Sequence, residues 1–183
     1  MSFLCCCCRG GAGGDDGGVE MAAPSRVTLD TRGPDVLVDK GVVGGEGIAR
    51  ASTAIEQDAA YWEIRVEAAG DFRLGVCRGL KGGALSGALG DGEKSWALAA
   101  TDAKAAAGDV IGVAFGQAEL PNLTFFLNGE ALEAGEVTRI RGEVFPAVSV
   151  AGGARVACVF DERSFKHAPP RGHSALRVVQ SLI

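Results

Sequence analysis

From Val27 to Phe160 the chain is built of short apolar runs that repeat with a period of two and are cut off by glycine, proline, asparagine or aspartate. A period of two sends alternate side chains to opposite faces of an extended strand, so this pattern constrains the fold more than any other feature of the chain. In Tyr61 to Val66 the residues Trp62, Ile64 and Val66 share one face while Glu63 and Arg65 take the other, as in a half-buried strand. Asp71 to Arg78 sets Phe72, Leu74 and Val76 against Arg73, Gly75 and Cys77 in the same way. Val110 to Phe115 and Leu123 to Leu127 are denser apolar runs suited to central strands. Asn128-Gly129 then predicts a two-residue hairpin, because a type I′ turn needs positive φ at both central positions, and a return strand starting near Glu130.

Val144 to Val150 and Arg155 to Phe160 complete the strands, joined by the glycine-permitted turn Ala151-Gly152-Gly153-Ala154. Pro146 has no N–H to give a ladder and predicts an edge position or a bulge. The helix candidates are the short, alanine-rich Asp102 to Ala107 and the tail from His173 to Ile183. Many short strands at turn spacing with almost no helix predict an all-β fold, a two-sheet antiparallel β-sandwich. No internal repeat points to a propeller.

A chain of 183 residues has room for one such domain with flanking tails. Gly10 to Gly18 is nearly all glycine and reads as a flexible tether. The expected organisation is therefore a cysteine cluster and tether over residues 1–26, the sandwich over 27–172 and a short tail over 173–183. Net charge is −5 and no stretch gathers lysine and arginine into a stripe, which argues against nucleic acid. Apolar runs fall far short of the roughly 20 residues of a membrane span, and Phe3-Leu4 is too short for a secretory signal, so the expected location is the cytoplasm. Cys77 and Cys158 stand alone in strand-like runs and read as buried thiols.

The strand motifs fall into a recognisable order. Tyr61-Trp62-Glu63-Ile64, Leu74-Gly75-Val76-Cys77-Arg78, Leu89-Gly90-Asp91 with Ser95-Trp96, and Gly108-Asp109-Val110-Ile111-Gly112-Val113 are followed by Leu123-Thr124-Phe125-Phe126-Leu127-Asn128-Gly129, Val144-Phe145-Pro146-Ala147-Val148 and a last strand ending Val159-Phe160. Over about residues 27 to 170 this series resembles the SPRY (B30.2-like) domain. The departures lie in loops: Gly116-Gln117 replaces an aspartate-bearing turn, and Lys81 to Ala88 is a glycine-alanine stretch. The resemblance implies a bent sandwich whose loops at one end bind short peptide segments of partner proteins. Fewer than twenty residues follow Phe165, so a fused ubiquitin-ligase module is not expected.

Chemistry is weakly signalled. The histidines His167 and His173 lie beyond the last strand, away from any nucleophile motif, and Gly90-Asp91-Gly92-Glu93-Lys94-Ser95 lacks the spacing and the helix of a phosphate loop. No catalytic residue, cofactor or metal is expected. Trp62 and Trp96 read as core, and Asn122-Leu123-Thr124 is a sequon at a strand start without a secretory context. The expected partner-binding residues are Arg50, Arg78, Lys81, Asp91 and Gly152, which flank strands near turns. The expected function is a peptide-binding adaptor. Its alternative is a constitutive subunit of a larger assembly, which would expose a large apolar patch on a strand face. Cys5, Cys6, Cys7 and Cys8 are consecutive, follow Phe3 and Leu4, and are the expected sites of S-acylation that would hold the domain at a cytosolic membrane face. Ser2 rules out N-myristoylation, and without a polybasic second signal stable attachment needs at least two acyl chains. Consecutive cysteines cannot readily wrap a tetrahedral ion, which sets a metal site below acylation, and an unmodified tail is the remaining alternative.

Overall fold

The period-two runs become strands in the computed structural model, which describes residues 26–117, 120–133 and 136–178. In chain order the strands are β1 (Thr31–Arg32), β2 (Val36–Asp39), β3 (Val42–Gly45), β4 (Gly47–Arg50), β5 (Ala59–Ala68), β6 (Asp71–Cys77), β7 (Ser95–Ala99), β8 (Val110–Gly116), β9 (Asn122–Leu127), β10 (Glu130–Ala131), β11 (Phe145–Ala151), β12 (Arg155–Val159) and β13 (Ser174–Ala175). Two sheets result. One is five-stranded in the order β1-β4-β11-β6-β7, and the other eight-stranded along β10-β9-β8-β5-β12-β3-β2, with β13 added against β5.

The inward faces interdigitate as the alternation requires. Phe72, Leu74, Val76, Leu98, Val148 and Val150 from one sheet meet Trp62, Ile64, Val66, Ile111, Val113, Phe125 and Val156 from the other in one apolar core. Trp62 is 1% exposed, and Trp96 is partly buried against the same core. The Asn128-Gly129 hairpin forms as expected, with φ of 50° and 90°, and Glu130 pairs with Leu127. Lys40-Gly41 repeats the device between β2 and β3, with φ of 48° and 86°. Gly152 and Gly153 also take positive φ, but their turn carries the chain from β11 in one sheet to β12 in the other.

Several expectations change. Pro146 lies in β11, an interior strand between β4 and β6. Its carbonyl accepts from Ala51 N–H at 2.8 Å, so its nitrogen faces the same side, just where β4 has ended at Arg50, and the ladder to β6 is untouched. The first helix is Ala100–Ala103, earlier than Asp102 to Ala107, because Lys104 adopts the left-handed conformation and closes it with bonds to Ala100 and Thr101 carbonyls. The tail is not helical from His173 onward. Ser174 and Ala175 pair in parallel with Ala60 and Tyr61, where β12 no longer reaches, and Leu176 is buried in the core. The folded unit thus runs at least to Leu176 rather than stopping at 172.

Candidate functional site

The outer face of the five-stranded sheet carries the side chains that alternate away from the core: Ile48, Arg50, Arg73, Gly75, Cys77, Phe145, Ala147 and Ser149. The segment between β6 and β7 folds back across this face. Its 3-10 turn Gly82–Leu85 drops Leu85 onto β4, and Leu85 and Leu89 join Ile48, Cys77 and Ala147 in a second apolar cluster. Gly47 of β4 is what lets backbone lie on backbone here: a Cβ on it would come within 2.7 Å of the Leu85 carbonyl oxygen. Ser149, buried in that contact, accepts the Leu89 N–H at 3.0 Å.

At one end of this face the cover stops. Arg50 ends β4, and its guanidinium lies over the half-buried Phe145 ring at 4.0 Å, a cation–π contact, while one terminal nitrogen donates to Thr31 Oγ1 at 3.1 Å. Its Nε is buried without an acceptor. Phe145 pairs with Cys77 across β11 and β6, so the backbone of Arg78, the next residue, lies on the β6 side of Phe145 while Arg50 lies on its β4 side. Arg78 is exposed, and its guanidinium lies against Gly142, where a Cβ would sit 3.3 Å from Nε. Arg50 and Arg78, predicted separately, are therefore brought to one place.

The other expected residues disperse. Lys81 is exposed three residues after Arg78, at the start of the 3-10 turn. Asp91 sits further along the covering segment, paired with Arg73 at 2.5 Å. Gly152 lies at the opposite end of the sheet, beside Asp71. Cys5 to Cys8 lie outside the described residues. Phe145 was missed as a site residue; the signal available was an aromatic at a strand start beside a lone Pro146.

The outer face of the eight-stranded sheet holds a second surprise, since Glu63 was expected to face solvent and is 0% exposed. The segment after β12 lies over it. Glu63 accepts the backbone N–H of Lys166 at 2.7 Å on one oxygen and that of His167 at 2.8 Å on the other. Tyr61 adds a longer hydroxyl bond at 3.4 Å, and Phe165 meets the Tyr61 ring edge-on at 5.1 Å. Burial raises the Tyr61 hydroxyl well above its ordinary value, with the Glu63 charge and their hydrogen bond adding to the shift. Arg65 Nη2 donates to the Ser164 carbonyl, and Gln57 bonds Ser174, Ala175 and the Arg177 N–H. Glu63 is thus a clamp for the C-terminal segment.

Reactive groups are arranged for packing. Burial pushes the Cys77 thiol up to about 11, against a smaller opposing pull from Arg50, and raises Cys158 as well. Among the described residues no group of three or more His, Cys, Asp or Glu side chains is placed to hold a metal ion, and no helix is long and apolar enough to cross a membrane. A surface hollow of ≈ 470 Å³ lies at a sheet edge, lined by Leu37, Asp39, Val42 and Arg155 among others.

Comparison with known proteins agrees with this architecture. The chain is 30% identical to the human SPRY domain-containing protein 7, and 29% to its mouse and 27% to its chicken counterpart, over 91% of this chain and 91% of each relative. No family model matches. Among solved structures, a human SPRY domain superposes with a TM-score of 0.54 at 20% identity, over 68% of this chain and 94% of that one. The TRIM65 PSpry domain superposes with a TM-score of 0.56 at 14% identity, over 74% and 88%.

Proposed function

Because this chain belongs to the SPRY domain family, whose members are in general non-catalytic protein-interaction modules, we propose that it is an adaptor that captures short segments of partner proteins at the sheet end where Arg50, Phe145 and Arg78 meet. The observation that carries this reading is the contrast between that end and the rest of the surface. Chain segments cover the outer faces of both sheets at Cys77 and at Glu63, yet among the described residues Arg50 and the exposed Arg78 beside Phe145 form no ion pair. Lys81 adjoins them. Asp91, paired with Arg73, stands at the flank, and Gly152, at the opposite end of the sheet, falls outside the proposed site.

The alternative of a constitutive subunit called for a large apolar patch. Among the described residues the large exposed hydrophobics are Leu37 and Leu120, at 72% and 71%, near opposite edges of the eight-stranded sheet. Two isolated side chains do not make such a patch, which favours the adaptor. S-acylation of Cys5, Cys6, Cys7 and Cys8 is the second part of the reading: it would place a cytoplasmic adaptor on the cytosolic face of a membrane, and its support is the run of adjacent thiols after Phe3-Leu4.

The test is the double variant Arg78→Glu with Lys81→Glu in the full chain. Both side chains are exposed, so the melting temperature should move by no more than about 3 °C. Partners crosslinked to the wild-type protein in cells should be lost. If the same partners remain on the folded variant, binding lies elsewhere.

A further inference from the structure

We infer that the segment captured at this end is acidic: the surface around Arg50, Phe145 and Arg78 is a receptor for a carboxylate-bearing peptide. This rests on the partner-binding reading above and specifies its chemistry. The protein as a whole carries a net charge of −5, yet cations collect here. Arg78 and Lys81 lead into the covering segment, Lys94 leaves it with its carbonyl on the Arg78 N–H, and Arg141 precedes the Gly142 that Arg78 touches. The carboxylates in the same segments are Asp91, which Arg73 takes, with Glu93 and Glu143, and Asp30 at the sheet edge takes the Thr28 hydroxyl. Among the described residues, none of these carboxylates lies within 4.0 Å of any of the cations: the ion pairs there are Arg73 with Asp91 and Arg155 with Glu67.

Arg50 is prepared for such a ligand. Stacking on Phe145 and the bond to Thr31 hold its planar fork in one orientation, so little rotamer entropy remains to be lost on binding. Its Nε has been taken from water with no acceptor in return, which leaves the cation poorly solvated. A carboxylate on its open edge would gain more there than at a freely hydrated arginine. Arg50 ends β4 level with Gly75, and Arg78 follows β6 three residues further along and two strand spacings away, so their backbones stand roughly 14 Å apart with Phe145 between them. An extended peptide spans that distance with carboxylates about four residues apart, an intervening side chain resting on the ring. An anionic bilayer, by contrast, is best met by a broad basic field, not by cations flanking one aromatic ring.

Selection of displayed random peptides of about a dozen residues by the full-length protein tests the inference. The expected result is enrichment of Asp or Glu at paired positions about four apart. Binding of a selected, labelled peptide should weaken at least about tenfold in Arg78→Glu and fall as salt rises from ~50 to ~300 mM. Selected peptides without acidic enrichment that still lose affinity in Arg78→Glu would overturn the acidic inference while the partner-binding reading stands. No enrichment of any peptide overturns both. Phosphatidylserine vesicles that bind the wild type and not Arg78→Glu, while acidic peptides bind neither, would identify a membrane as the occupant and overturn it also.

Discussion

Glu63 is the residue whose environment departs most from its sequence. A buried carboxylate is tolerated only when its oxygens are satisfied, and here both accept backbone N–H groups from a segment about a hundred positions away. Glu63→Ala should therefore cost about 2 to 5 kcal/mol by stranding two buried donors, and the loss should appear in urea titration together with faster amide exchange at Lys166 and His167. Loss of stability without that exchange would mean the clamp acts elsewhere. Asp109 is the complementary case of a legible residue. The Asn128 side-chain amide and then the Ala106 N–H hold its carboxyl below the ordinary value. A folded value below the unfolded one means stability that is fully present above the unfolded pKa, near 3.9, and lost as pH falls through the folded value. Asp109→Asn should flatten that acid limb in urea midpoints measured from about pH 6 down to pH 2, and an unchanged limb would show that the pair contributes nothing.

At the scale of elements, alternation predicted β5 because Trp62, Ile64 and Val66 all turn inward, and it predicted β6 for the same reason, while β8 and β9 were legible as denser apolar runs of central strands. Trp62→Ala should cost about 3 to 5 kcal/mol in denaturant titration, since a ring that is 1% exposed leaves a cavity the two sheets cannot close. A loss below about 1 kcal/mol would contradict its burial. Pro146 shows the limit of residue rules: a proline forbids one N–H, but whether that N–H was needed depends on where the neighbouring strand ends. The Lys40-Gly41 hairpin was available in principle from its glycine, yet its flanking strands are only four residues each and carry little periodicity. β13, with two residues, had no signal at all because its pairing with β5 is made by tertiary packing.

For the whole molecule, chain segments cover the outer faces of both sheets, and among the described residues Arg50 and Arg78 at one end form no ion pair, which is the support for the proposed capture of partners there. The N-terminal cysteines extend that picture to location. Replacing Cys5, Cys6, Cys7 and Cys8 with serine should shift the protein from membrane to soluble fractions at unchanged melting temperature, and wild-type protein should carry a hydroxylamine-sensitive label. Unchanged fractionation, or no such label, would sink the anchor. The sequence by itself determined the fold class, the main strands, the inward face of β5 and the glycine-rich character of the covering segment, because each depends on near neighbours and on a period of two. It also singled out Arg50 and Arg78 as charges near turns. Only the tertiary structure decided that these arginines flank one aromatic ring, that Asp91 is paired with Arg73 and Gly152 is remote, and that Glu63 is buried under the C-terminal segment. Those outcomes depend on which distant segment lies over which sheet face, and alternation along a strand distinguishes two faces without recording what covers either.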